Sequence, residues 1–261
     1  MGNKAVFMDR DGTINEEVGY VNHLDRFFLL SRVGEAIRLL NHHGLKTVVV
    51  TNQSGVARGY FPESLLHAVH QRMEDLLGQE GAHLDRICYC PHHPDVGSPP
   101  YRQKCRCRKP DTGMVEEASK ALELDCSKSY MIGDRGNDIE FAHRIGARGI
   151  LVLTGYGKGE WDFCRDQWNV KPDHVARGLY EAVQWILRQE SMKSDGNGKG
   201  RGKFAKEKPA FSISKIRLKK RVWVTKSPWV RRLELNLVAN LHPVGLLLPF
   251  SCRFPLLSGD G

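Results

Sequence analysis

The sequence predicts an α/β fold, a parallel sheet with helices packed on both faces. Three observations carry that prediction. Short apolar runs at residues 5–8, 46–50, 129–132 and 149–153 read as buried strands. Between them lie longer segments whose apolar residues recur at three- and four-residue spacing, and this alternation makes right-handed βαβ units. Acidic residues directly follow two of the runs, as Asp9-Arg10-Asp11 and as Gly133-Asp134, at the carboxyl ends of strands where open α/β sheets bind ligands.

The first strand, residues 5–8, runs into Asp9 and Asp11. Side chains at i and i+2 of an extended chain share a face, so the two carboxylates project together. Their repulsion calls for a cation, most simply Mg²⁺ with oxygen ligands. A carboxylate held that way can attack phosphorus. Val33, Ala36, Ile37 and Leu40 then mark a helix, which Gly44 ends. The second strand, 46–50, leads into Thr51-Asn52-Gln53-Ser54-Gly55, where a small hydroxyl and a glycine-containing turn suit a phosphate.

A helix is expected over 62–77, its apolar face made by Leu65, Leu66, Val69, Met73, Leu76 and Leu77, and a third strand over 86–89. The segment beyond carries Cys90, His92, His93, Cys105 and Cys107 in a loop rich in proline and glycine. Three thiolates and one imidazole make a closed tetrahedral zinc site, structural rather than catalytic, which would pin this loop. Spacing alone leaves His92 and His93 as alternatives. Lys109 follows at once and is placed to neutralise a phosphoryl group and to hold Asp9 as its anion. A helix over 114–124, a strand over 129–132, a helix carrying Asp138 and ending at Gly146, a strand over 149–153 and a closing helix over 179–187 complete the reading. No insertion is large enough to form a cap domain. The loop at 15–20 and the cysteine-rich loop are therefore expected to shape the pocket.

Composition bounds the partners. The chain has 261 residues, 41% of them hydrophobic, and a net charge of +9. That excess is local: residues 191–261 carry 15 Lys and Arg against 4 Asp and Glu, and residues 1–190 carry 24 against 26. The expected organisation is one α/β domain over 1–190 and a basic extension over 191–261, disordered or irregular. A nucleic-acid-binding role through that extension is the alternative of a different class. Charged residues interrupt the N-terminus before a secretory core could form, and no apolar run is long enough for a membrane span. Seven cysteines, four of them between Cys88 and Cys107, read as metal chemistry in a reducing cytoplasm.

The D-x-D-G-T, Thr51, Lys109 and G-D-x-x-x-D elements, in that order, resemble the four motifs of the haloacid-dehalogenase (HAD) phosphohydrolases. A finer resemblance covers roughly residues 4–190 through MDRDGTIN, GYV, VVVTNQSGVARG, YCPHHP, CRCRKP and MIGDRGNDI. It is to the family of D-glycero-D-manno-heptose 1,7-bisphosphate 7-phosphatases of lipopolysaccharide-core heptose synthesis. The resemblance implies a capless, Mg²⁺-dependent enzyme of HAD-type Rossmannoid fold with a structural zinc. It implies Asp9 as nucleophile and Asp11 as general acid and base. Mg²⁺ would be held by Asp9, the Asp11 carbonyl and Asp134, with Asp138 in support, and the phosphate by Thr51 and Lys109. It favours Cys90, His92, Cys105 and Cys107 as the zinc ligands. Substrate contacts would come from Glu17, Val18, Gly19, Tyr20, Thr51, Asn52, Gln53, Ser54, Arg108, Lys109 and Arg135. Arg58, Arg108 and Arg135 are candidates for a distal phosphate. Histidinol-phosphate phosphatases share the fold and the metal loop and are the competing reading. The expected partner is a small sugar bisphosphate met by a monomer, with neither a membrane nor a nucleic acid.

Overall fold

A computed structural model describes residues 2–195. The basic extension expected from residue 191 lies outside the described residues beyond Asp195. Six strands form one parallel sheet: β1 (Ala5–Met8), β2 (Lys46–Asn52), β3 (Arg86–Cys90), β4 (Tyr130–Gly133), β5 (Arg148–Val152) and β6 (His174–Ala176). Their order is β3-β2-β1-β4-β5-β6. The chain builds outward from β1 on one side, then returns to β4 on the other. The boundary between β1 and β4 is therefore the switch point at which such sheets open a crevice.

Six helices cover the sheet: α1 (Val33–His42), α2 (Glu63–Gln79), α3 (Gly113–Leu122), α4 (Gly136–Arg144), α5 (Gly157–Phe163) and α6 (Leu179–Asp195). The period of two along β1 distributes its side chains between the faces. Val6 and Met8 join Val49, Ile132 and Ile150 under α1, α2 and α6, while Ala5 and Phe7 join Val48, Val50 and Met131 under α3 and α4. Every residue of β1 is fully buried, which is why its sequence is apolar throughout rather than alternating. Among the described residues there is no cap domain, as expected.

Two elements depart from the sequence reading. β6 has three residues at the sheet edge, too short for a period to show. α5 contains Gly157 and Gly159 and buries only the first of these, so no apolar stripe marks it. The closing helix also runs past the expected end at residue 187 to Asp195. Its last turns are held by polar contacts: Glu190 pairs with Lys4 and accepts from Tyr130 Oη at 2.7 Å.

Candidate active site

Asp9 stands one residue past β1, and its N–H still donates to Ile132 O of β4 at 2.9 Å. That ladder bond sets Asp9 beside Asp134, which stands one residue past β4. Lys109 Nζ donates to Asp9 Oδ1 at 2.8 Å and to Asp138 Oδ1 at 2.7 Å. The other Asp138 oxygen accepts from the Arg135 N–H at 3.2 Å, so both of its oxygens are engaged in support. Asp134 Oδ2 accepts from the Tyr156 N–H at 2.8 Å.

Asp9, Asp134 and Asp138 place one carboxylate oxygen each within 4.8 Å of one another. Burial, and then the neighbouring charges of Asp9 and Asp138, push the Asp134 carboxyl up to about 8. Burial likewise raises Asp9 to about 6, against the pull of Lys109. Burial acts against the Lys109 ammonium, yet Asp138 and Asp9 hold its pKa above the ordinary lysine value. Three carboxylates against one lysine leave an excess of negative charge, and an oxygen-only donor set of this kind fits a hard divalent cation. The approach is kept open by glycine: a Cβ at Gly12 or at Gly155, both at positive φ, would lie 2.2 Å from Asp134 Oδ2.

Asp11 is turned away from this group. Arg10 Nη2 donates to its two oxygens at 2.9 Å each, Asn15 Nδ2 to Oδ1 at 3.0 Å and Gln53 Nε2 to Oδ2 at 2.7 Å. Burial alone would raise its pKa, but the Arg10 charge and these hydrogen bonds hold it below the usual carboxylate range.

These groups open into a cavity of ≈ 330 Å³ lined by Asp9, Asp11, Glu17, Gly19, Tyr20, Thr51, Asn52, Gln53, Ser54, Arg58, Arg108, Lys109, Arg135, Asn137, Asp138 and Tyr156. Thr51 Oγ1 accepts from Gln53 Nε2 at 2.9 Å, which leaves its own O–H to donate. Burial raises the Glu17 carboxyl, and its Oε1 accepts from the Gly19 N–H. At the far end the cavity is cationic. Arg58 Nε is buried without a partner. Arg58 Nη2 lies 3.2 Å from His93 Nε2, while His93 Nδ1 accepts from the Asp95 and Val96 N–H groups at 3.1 Å each. Three N–H donors thus crowd a neutral ring that carries one lone pair.

The cysteine-rich loop lies between β3 and α3. Ligand atoms of Cys90, His92, Cys105 and Cys107 fall within 4.8 Å of one another. His92 Nδ1 is 3.7 Å from Cys90 Sγ and 3.6 Å from Cys107 Sγ. His93 is spent on its own turn and on Arg58, and it is His92 whose ring nitrogen joins the three sulfurs. The structure pairs Cys105 and Cys107 as a disulfide, where separate thiolates are expected. A C-x-C pair brings its sulfurs together in either state, and a zinc ion would take them as two ligands.

Comparison with known proteins follows the same lines. Residues 106–182 match the HAD-hydrolase-like family model. A heptose-1,7-bisphosphate 7-phosphatase of Haemophilus ducreyi, D-glycero-beta-D-manno in configuration, is 46% identical over 188 residues, covering 71% of this chain and 100% of the relative. The D-glycero-D-manno-heptose-1,7-bisphosphate 7-phosphatase of Thermosynechococcus vestitus is 40% identical, covering 71% and 96%. The crystal structure of the D,D-heptose 1,7-bisphosphate phosphatase of B. bronchiseptica, complexed with magnesium and phosphate, superposes with a TM-score of 0.63 at 31% identity, covering 71% of this chain and 99% of that one. This chain belongs to the heptose-1,7-bisphosphate 7-phosphatase family.

Two of the expected substrate contacts, Val18 and Asn52, have other partners in the structure. Val18 does not line the cavity: its side chain packs against the core and its carbonyl accepts from Arg26 Nη2 at 3.0 Å. Asn52 borders the cavity, but its amide is spent on Lys109. Nδ2 donates to Lys109 O at 3.0 Å and Oδ1 accepts from the Lys109 N–H at 2.9 Å, which clamps the lysine's backbone to the end of β2. Sequence reading also missed three residues. Arg10, the middle of the D-R-D triplet, is 1% exposed and forms the hub around Asp11. Tyr156 lies under Arg135, with the guanidinium carbon 3.8 Å from the ring centroid. His70, on the apolar face of α2, meets Arg10 Nη1 at 3.3 Å. Only the placement of Arg10 between two acids could have flagged any of them.

Proposed function

We propose that this chain hydrolyses the C7 phosphate of a D-glycero-D-manno-heptose 1,7-bisphosphate, in the synthesis of ADP-heptose for the lipopolysaccharide core, through an aspartyl phosphate on Asp9. Asp9 attacks phosphorus while Lys109 and the Thr51 hydroxyl hold the phosphoryl oxygens. Mg²⁺, held by Asp9, Asp134 and the Asp11 carbonyl, would supply charge neutralisation at those oxygens. Asp11, ionised in the resting site, would take up a proton once the substrate is bound, give it to the leaving sugar oxygen, and later take one from the water that attacks the aspartyl phosphate. Zinc on Cys90, His92, Cys105 and Cys107 would hold the loop that carries Arg108 and Lys109. The cysteine usage fits a reducing cytoplasm, and among the described residues no helix is long and apolar enough to cross a membrane. A monomer suffices, since all of these groups come from one chain.

The observation that carries the substrate is a pair of cavity arginines without a carboxylate: Arg58 Nε has no partner, and Arg108 Nη1 donates to the His92 carbonyl at 3.2 Å. Neither Arg58 nor Arg108 has a carboxylate within ion-pair distance among the described residues. Arg58 moreover faces a donor nitrogen. A second phosphate supplies the missing acceptors. Histidinol phosphate would bring an ammonium there and add to the excess of donors. The deciding measurement is kcat/KM for heptose 1,7-bisphosphate, in both anomers, against histidinol phosphate. The bisphosphate should be preferred by at least about a hundredfold, the scale on which a site built for a charged group rejects a ligand that lacks it. A higher value for histidinol phosphate overturns the assignment.

A further inference from the structure

We propose that His70 is a positioning residue for Asp11, acting through Arg10. The proposal rests on the reading of Asp11 as acid and base. Arg10 is buried whole, and its guanidinium is divided between two tasks. Nε and Nη2 serve the Asp11 carboxylate and Gln53 Oε1. Nη1 points the other way, to His70 Nε2 at 3.3 Å, and no other acceptor meets it among the described residues. A guanidinium nitrogen only donates, so His70 Nε2 carries the lone pair and Nδ1 the proton.

The imidazole is itself 6% exposed, set in the apolar stripe of α2 between Leu66, Val69 and Met73 and against the Tyr89 ring, with centroids 5.4 Å apart. Burial and the adjacent Arg10 keep it neutral. A buried charged donor without an acceptor is costly, so this position needs one. A carboxylate would also accept from Nη1, but it would draw the Arg10 charge away from Asp11. A neutral imidazole fixes the guanidinium in the plane that serves Asp11 and leaves its charge to that carboxylate.

The test uses the full chain with Mg²⁺ and two generic esters, so it stands apart from the identity of the sugar. An alkyl phosphate needs Asp11 to protonate its leaving oxygen. p-Nitrophenyl phosphate does not, because its phenolate leaves unaided, and single-turnover release with excess enzyme reports attack by Asp9 alone. In His70→Leu, kcat for the alkyl ester should fall about tenfold with KM changed by less than about twofold, while phenolate release stays within about twofold of the wild type. His70→Gln places a carbonyl oxygen near the Nε2 position and should recover most of the loss. His70→Asn, whose oxygen falls near Nδ1, should not. These two polar variants carry the test if His70→Leu fails to fold. Unchanged alkyl-ester turnover in His70→Leu overturns the proposal. So does phenolate release slowed by the same factor, or an Asn variant as active as the Gln variant. Failure of the wild-type chain to cleave either ester would instead indict the phosphatase reading.

Discussion

At the residue scale, the site turns on how burial and charge divide four acids. Asp9 and Asp138 meet Lys109 and, with Asp134, favour a cation, whereas Asp11 is held by Arg10, Asn15 and Gln53. Asp9→Asn keeps the shape and removes the nucleophile. Turnover should fall at least about a thousandfold with the fold unchanged, and substantial activity in pure variant would sink the covalent mechanism. The raised Asp134 carboxyl gives a second expectation. Its folded pKa, about 8, lies above the ordinary value of 3.8, so the metal-free folded chain binds this proton more tightly than the unfolded chain does. Stability from this group is complete below the ordinary value and is lost as pH rises through the folded one. Between about pH 7 and 8.5, above the range in which histidines titrate, the melting temperature of chelator-treated protein should fall. Added Mg²⁺ should reverse the fall, and Asp134→Asn should flatten it. A melting temperature that rises over this interval without metal contradicts the raised carboxyl.

At the element scale, the loop between β3 and α3 brings Arg108 and Lys109 to the cavity. It supplies His92, Cys105 and Cys107 to join Cys90 at the end of β3, then Arg108, then Lys109, whose backbone Asn52 grips from β2. Tyr101 of the same loop donates to Glu63 Oε2 at 2.7 Å, and so ties the loop to the start of α2. If zinc closes this loop, Cys107→Ser should lower the melting temperature by roughly 5–10 °C, because metal binding adds to folding energy. Metal analysis of freshly reduced protein should find one zinc per chain and none in the variant. Zinc-free wild type with an unaltered melting curve would refute the loop assignment. The strands β1, β2, β4 and β5 were legible because each is a largely buried, mainly apolar run bounded by turn residues. β6 and α5 were not, because a three-residue edge strand and a glycine-bearing helix leave no period to read.

At the scale of the whole molecule, six strands, two apolar layers and an active site at the switch point make a unit that α6 closes. Glu190 joins α6 to Lys4 and to Tyr130 at the amino ends of β1 and β4, so the expected boundary at residue 190 falls within the closing helix. A chain cut after Asp195 should keep kcat/KM within about twofold, whereas a cut after Leu187 should lose several degrees of melting temperature. Equal behaviour of the two truncations would remove Glu190 from the closing contacts. By itself the sequence determined the alternation of strands and helices, the acids at strand ends, the lysine and the cysteine-histidine cluster. Those signals are local: a period, a run, a spacing. Only the tertiary structure decided what each polar side chain spends its hydrogen bonds on. Arg10 meets His70 across 60 positions and Asn52 meets Lys109 across 57. Val18 turns inward, and the Asp11 carboxylate turns away from the neighbouring acids. Such choices follow from which donors and acceptors burial brings together, and sequence spacing carries no record of them.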